Sequence, residues 1–521
     1  MLKILKNAFV KEDSIRGASL ILIITLALSN VLGVIRDHFL ASKIPTDRLD
    51  IYFASFRLPD LIFNVLILGS IAAAFVPVYS NYLKSKGKEE ANKLAQASMT
   101  IGISVISVAL VLLYILMPYL IVILVPDFSY DKQQETLSIA RLLLISPFFF
   151  TISYFLGGIL NSHKRFLAYS TAPLVYNLSI IVGVLLFAEK YGVKGAIIGV
   201  IMGAVLHLLV QLPAAIKVGF NFAFRFDYKE AGVRRVLRLM VPRAIGLGAN
   251  QILLVAFTAF ASTFPGGIAI YNFADNIQTV PTVIFGTALA TAVFPTLAGL
   301  SAKNKEELNR FGILLQKTFR SILFLLVPAT ALLILLRAQV IRIILGYGFF
   351  GWSDTRTAAA VLGFFALSII AQGLIPLMAR SFYALHDTKT PMFISIIAIS
   401  VSILTGYFLS EQFENVTAGI SVLALSFSLG SWVNFILLWI YLNKKIDINW
   451  GNFGIFILRI IAVTLFMAVV VQATKGFVAD MFGIDRVRYL ALQIILSSGL
   501  GIASYIGLAY LLGFEEVKNG R

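Results

Sequence analysis

Charged residues recur in the first two apolar runs: Arg36 and Asp37, then Asp50, Arg57 and Asp60. An ionisable side chain at membrane depth costs roughly 2.5–3.5 kcal/mol on insertion scales, so it normally faces a pore, a partner or a substrate. Asp50, Arg57 and Asp60 follow one another at intervals of seven and three residues, which stacks them along one helix face. Two readings are open. The stripe is a structural Arg–Asp network tying the first two helices together near the outer surface, or it is a cation-bearing cavity wall that accepts an anionic headgroup. In the second case the planar arginine fork makes bidentate contacts to phosphate. Arg243 poses a similar choice. It follows Pro242, nine residues after Arg234, which is about 13 Å deeper along a straight helix. Gly246, Gly248, Asn250 and Gln251 give it a small, polar face that suits a cavity, whereas a longer span would leave it at the interface.

Covalent chemistry has little to work with. Cys is absent, which excludes disulfides, cysteine-ligated zinc, iron–sulfur clusters and thiol catalysis, and only four His remain. Group transfer on a lipid needs clustered carboxylates, a metal-binding pair or a nucleophile with its base. None stands out, because the largest connectors carry mostly Arg, Lys and aromatic residues. His386-Asp387-Thr388-Lys389, just before Pro391, reads as a helix cap and turn. The expectation is a transporter rather than an enzyme, with no metal or other cofactor.

The elements that position these residues follow from composition. Of 521 residues, 59% are hydrophobic and 13% charged, against about half and about a quarter in a soluble domain. No aqueous fold of this size hides so much apolar surface, so the chain is expected to be an all-α polytopic membrane protein. The net charge of +17 resides mainly in short connectors, the membrane's orientation signal rather than a nucleic-acid footprint. Met1 to Ser14, with Lys3, Lys6 and Lys11, reads as the lead into a retained first helix and not as a cleaved signal. At about 20 apolar residues per crossing, fourteen spans emerge: 15–41, 50–83, 93–125, 136–161, 170–188, 195–216, 234–262, 267–300, 308–336, 356–385, 391–410, 416–442, 453–473 and 488–512. Counting Lys and Arg on alternate sides gives roughly 23 against roughly 11, which puts both termini in the cytoplasm.

An internal repeat organises the spans. KGKEEANK at 86–93 echoes KNKEELNR at 303–310, Phe75-Val76-Pro77 echoes Val293-Phe294-Pro295, and Ile51-Tyr52 echoes Ile270-Tyr271. His163 pairs with His386 at the ends of the fourth and tenth spans. Repeats six spans apart enter the membrane in the same sense, so the duplication is parallel. The expected layout is two parallel six-helix lobes around a central cavity, 1–216 and 234–443, joined by a cytoplasmic linker at 217–233. Residues 444–521 add two C-terminal helices and a tail. Lobes facing one another across a cavity imply alternating access.

GVIRDHFLA at 33–41, Asp50, FRLPD at 56–60 and AAFVPV at 73–78 resemble the MurJ family of lipid II flippases, formerly called MviN. GILNSHKRF at 158–166, Ala172-Pro173, FADN at 273–276 with Pro281, FGTALATAVFPTL at 285–297 and FYALHDTKTP at 382–391 extend the resemblance along the whole chain. The family belongs to the multidrug/oligosaccharidyl-lipid/polysaccharide exporter superfamily. The resemblance implies translocation of undecaprenyl-diphosphate-linked disaccharide-pentapeptide from the inner to the outer leaflet of the bacterial cytoplasmic membrane, driven in part by membrane potential. It implies membrane lipids and cell-wall synthesis proteins as partners, and a monomer.

Arg36, Asp37 and Asp50 keep the family pattern. Asn64 stands where the second span usually carries arginine, Asn276 follows Ala274-Asp275 where the eighth usually carries another, and Leu68 replaces an acidic residue before Gly69. The implied substrate-binding set is Arg36, Asp37, Asp50, Arg57, Asn64, Arg243, Asp275 and Asn276, with Arg243 partly replacing the missing cations. Two alternatives remain, a flippase for another polyprenyl-diphosphate-linked saccharide and a cation-coupled drug exporter. A drug exporter is expected to use a carboxylate-rich cavity, whereas this wall holds arginines.

Overall fold

A segment that crosses hydrocarbon must satisfy its backbone polar groups internally, and the apolar runs do so as helices. The computed structural model describes residues 15–68, 71–300, 305–446, 450–451, 453–483 and 487–518, and these contain helices and connectors but no strand. Among the described residues, eleven helices are long and apolar enough to cross a bilayer, or twelve if Trp352–Ala366 and Ile369–Ala384, which meet at a 41° bend, form one span. The first and seventh runs of the sequence fall on two further helices, Ile15–Lys43 and Ala231–Ser262. Several helices turn bare aliphatic faces outward: Val108, Ile115 and Ile123 on Gly87–Leu124, and Leu458, Leu465 and Val469 on Phe453–Phe482, are all exposed. Such faces suit hydrocarbon and not water.

The chain divides into two compact units, Met1–Ala269 and Ile270–Arg521. In the first, the Thr46–Phe63 helix contains Pro59, which has no N–H to give the carbonyl one turn back. The helix then passes through two π-helical stretches, Asn64–Leu68 and Ile71–Phe75, before resuming as Val76–Ser85. Ala231–Ser262 packs on this irregular helix, on both of its π stretches and on Gly87–Leu124. Phe166–Tyr191 and Val193–Leu209 cross at glycines, where a methyl group on Gly183 would lie 2.4 Å from the Cα of Gly199. Only small residues allow so close an approach.

In the second unit Thr282–Thr287 is again π-helical, directly after Pro281, and leads into Ala288–Gly299. It begins 218 residues after the first π stretch, the same interval that separates Pro77 from Pro295. The repeat extends to turns. Lys164 and His386 are the described non-glycine residues at positive φ, both at 59°. Each closes a helix with matching bonds: Arg165 N to Leu160 O at 2.8 Å and Asp387 N to Phe382 O at 2.9 Å, then Lys164 N to Asn161 O and His386 N to Tyr383 O at 3.0 Å. His386 therefore corresponds to Lys164, one residue on from the pairing with His163 expected from sequence. The basic echo at 303–310 begins outside the described residues.

Candidate substrate-binding site

The first unit assembles most of the charged stripe. Arg36, near the end of Ile15–Lys43, donates from Nε and Nη2 to Asp37 Oδ1 at 3.0 and 2.8 Å, and from Nη1 to Asn177 Oδ1 at 3.1 Å. Asn177 lies on Phe166–Tyr191, one turn after Pro173, and is anchored by its own donation to the Pro173 carbonyl at 3.2 Å and to Ser29 Oγ at 3.3 Å. All three guanidinium nitrogens are thus engaged, with Asp37 as the carboxylate that balances the charge. Its side chain remains 22% exposed against 5% for Asp37, and each terminal nitrogen keeps a second N–H. This is the geometry that bidentate phosphate recognition uses.

Arg57 and Asp60 continue along the second helix. Arg57 Nε donates to Thr258 Oγ1 on Ala231–Ser262 at 2.8 Å, with Asp60 within electrostatic reach. Thr258 is buried and returns its own proton to the Leu254 carbonyl at 2.7 Å. Asn64 is half-buried at the first position of the π stretch, where the widened turn alters which side chains share a face.

Asp50 is fully buried and does not meet Arg36. Its Oδ2 accepts from Gly266 N at 2.8 Å and its Oδ1 from Ala269 N at 3.0 Å, the orphan amides at the start of Gly267–Pro281. Lys132 Nζ lies 3.3 Å from the same carboxylate and 2.6 Å from Asp47 Oδ1. A carboxylate on one helix thereby caps the N-terminus of another, a use of charge that favours the dipole at that end. Gly266 sits at φ 76°, and a methyl group there would press on Thr46 at 3.0 Å. Thr263 Oγ1 to Asp127 at 2.9 Å binds the same loop.

In the second unit Asp275 accepts from Gln278 Nε2 at 2.9 Å, and Asp275 and Asn276 are both half-buried. Arg243 lies on Ala231–Ser262, and its side chain falls outside the described residues. Sequence reading missed Asn177, Thr258 and Lys132. Asn177 had a legible signal, as an amide in an apolar run one turn past a proline. Thr258 and Lys132 had none, because their partners lie 201 and 82 residues away. Among the described residues no group of His, Asp and Glu is arranged to hold a metal ion.

A family model described as Lipid II flippase MurJ matches residues 46–490. A probable lipid II flippase MurJ of Buchnera aphidicola subsp. Acyrthosiphon pisum is 31% identical over 455 residues, covering 85% of this chain and 87% of that protein. The protein of the same description from Rickettsia prowazekii is 26% identical over 511 residues, covering 96% and 98%. A solved lipid II flippase MurJ in an inward closed conformation shares the fold at TM-score 0.75, with 24% identity over 95% of this chain and 98% of the other. An inward-facing multidrug resistance MATE family transporter of the MOP superfamily shares it at 0.65, with 14% identity over 82% and 98%. Matched by the family model across most of its length and aligned over 85% and 96% of its length with these two relatives, the chain belongs to the MurJ lipid II flippase family.

Proposed function

We propose that this protein is a lipid II flippase that moves undecaprenyl-diphosphate-linked peptidoglycan precursor from the inner to the outer leaflet of the bacterial cytoplasmic membrane by alternating access. The observation that carries the reading is Arg36, a guanidinium in an apolar helix bundle, tethered at its three nitrogens by Asp37 and Asn177 and still 22% exposed. The diphosphate is the part of the cargo that such a fork recognises. Arg57 lengthens the cationic wall, Asp37 orients Arg36 or pairs with it when the wall is empty, and Asp50 fixes the helix that carries Arg57. Asn64, Asp275 and Asn276 contribute polar contacts, and Arg243 supplies part of the charge that the two asparagines lack.

In this reading Ile15–Lys43 and Ala231–Ser262 complete fourteen spans. Residues 1–216 and 234–443 form the two lobes, 217–233 link them in the cytoplasm, and 444–521 form the appended pair with its tail. Both termini are cytoplasmic, and the protein works as a monomer alongside cell-wall synthesis proteins. Expression in a strain depleted of its own lipid II flippase tests the reading. Growth is expected to return, and continued lysis with the chain present in the membrane overturns it. Asn64 and Asn276, where the family has arginines, favour a second reading in which another polyprenyl-diphosphate-linked saccharide is the cargo. Failed complementation together with movement of such a lipid in vesicles would establish that reading.

A further inference from the structure

Within the first unit, Ile15–Lys43, Ile145–Ser162, Phe166–Tyr191 and Val193–Leu209 enclose a cavity of about 230 Å³, with Thr25, Ser29, Tyr154, Tyr169, His207 and Gln211 in its wall. That volume holds several waters. His207 stands near the middle of the 25-residue span Val193–Lys217 and is 6% exposed. A histidine at such depth is costly, and the substrate wall described above does not use it.

A small polar network holds the Nδ1 edge of its ring. Ser153 Oγ donates to the His207 carbonyl at 3.1 Å and accepts from Gln211 Nε2 at 2.6 Å, and it lies 2.7 Å from His207 Nδ1. A hydroxyl has one proton to give and two lone pairs to offer. Gln211 Nε2 also donates to the His207 carbonyl at 3.1 Å, so the hydroxyl proton has two acceptors to choose from, that carbonyl and Nδ1; when it goes to the carbonyl, Nδ1–H donates to Ser153. Nε2 then carries the free lone pair, and it has no hydrogen-bond partner among the described residues.

Two neighbours bear on a charge at this ring. The Tyr154 ring stacks on His207 with centroids 5.8 Å apart and planes 18° from parallel, where a ring face stabilises a cation. Gln211 Oε1 is a buried acceptor without a partner, the kind of atom that a water or hydronium satisfies. The titratable groups facing the cavity are the phenols of Tyr154 and Tyr169, with Tyr176 behind Phe150. Asp60 on the second helix acts on Tyr154 and Tyr176, and Arg36 and Asp37 on the first act on Tyr176 or on each other. Lys132, Glu135 and Arg141 on Tyr130–Leu143, Glu189 and Lys190 on Phe166–Tyr191, and Lys217 on Leu212–Lys217 belong to elements packed near this helix.

We propose that this cavity is a proton-binding site with His207 Nε2 as the acceptor, and that its occupancy is coupled to lipid movement. A proton passes from cavity water to the Nε2 lone pair, giving an imidazolium and leaving the Nδ1–Ser153–Gln211 bonds unbroken, and it returns to water by the reverse step. A path to the substrate wall exists. Ser29 lines the cavity and accepts from Asn177, whose carbonyl oxygen holds Arg36. The coupling, though not the site itself, rests on the flippase reading.

Nitrogen-15 spectra of the imidazoles of the full-length chain in lipid nanodiscs test the site without transport. The signal removed by His207→Gln is expected to convert from neutral to imidazolium between about pH 4 and 8, and Ser153→Ala, which keeps the histidine, to shift the midpoint. A signal that stays neutral throughout, or that responds to sodium instead of pH, overturns the proposal. In vesicles with the membrane potential clamped at zero, a one-unit pH gradient is expected to change lipid II flipping by up to about tenfold, and the response to vanish in His207→Gln. An undiminished response in that variant overturns the coupling. A His207 that titrates in a wild-type chain that moves no lipid II supports the site and rejects the flippase reading.

Discussion

The irregular helix from Thr46 to Ser85 and its counterpart from Gly267 to Gly299 share a backbone device and differ in charge. Both break into a π-helical turn at the same register, and both place a proline thirteen residues beyond its start, Pro77 and Pro295. At that register Arg57 corresponds to Asp275 and Asp60 to Gln278. Each copy keeps a polar pair three residues apart on one face, charged in the first and joined by a 2.9 Å hydrogen bond in the second. The turns repeat the lesson. Lys164 and His386 share a φ and a bonding pattern, but beside the first His163 meets the Tyr79 hydroxyl at 3.1 Å, and beside the second Asp387 pairs with Lys445 at 2.7 Å. Backbone irregularity has been kept in both copies. Charge has diverged.

The comparison breaks first at Arg36. If charge in the first copy serves cargo, Arg36→Ala is expected to abolish transport while leaving membrane levels near normal. Lys at the same position should rescue poorly, because an ammonium cannot reproduce the planar fork. Transport retained by Arg36→Ala would reduce the stripe to a structural network. Smaller effects are expected where charge serves the fold. Asp50→Ala leaves two helix-terminal amides without their acceptor and Lys132 with Asp47 alone, which is expected to cost about 2–4 kcal/mol. Asp275→Asn keeps an acceptor for Gln278 and should cost below about 1 kcal/mol. Thermal unfolding of both variants in one detergent measures the difference, and equal losses would mean that Asp50 is not the cap its geometry indicates.

Much of this was legible in the sequence because hydrocarbon leaves so little choice. Apolar length marked the spans, and the echoes around Pro77 and Pro295 marked a duplication that the π stretches and turns repeat in the backbone. The Arg36–Asp37 pair was legible because both partners are adjacent. Long-range partners were not. Nothing local says that Asp50 turns to the amides of Gly266 and Ala269 rather than to Arg36, since that depends on where a loop over 200 residues later comes to rest. The 41° bend within the tenth span was also missed, because Leu367 and Ser368 have no local sequence signal as strong as a proline. The polar group around His207 stayed hidden because Ser153 and Gln211 are ordinary residues until the helices cross.

The smallest expected effect tests whether the paired turns differ in electrostatics and not in backbone. Asp387 lies outside the spans. Burial alone would raise its pKa, but the Lys445 ammonium, the Thr390 amide at 3.0 Å and the Thr390 hydroxyl at 2.8 Å outweigh that and hold it down at about 2. A carboxylate whose folded-state pKa is depressed contributes stability above its unfolded value, near 4, and loses it as pH falls from about 4 through about 2. The contribution at neutral pH should be roughly 1–2 kcal/mol, allowing for the half-exposed lysine. Asp387→Asn is therefore expected to lower the unfolding temperature at pH 7, and the gap to the wild type should narrow as the pH drops below about 4. Arg165, which occupies the corresponding position of the first turn, offers no carboxylate to titrate. Arg165→Gln should leave the acid limb of the stability curve where it was. An Asp387→Asn gap that is constant with pH would place the effect in the shape of the turn, and the two turns would then differ in more than charge.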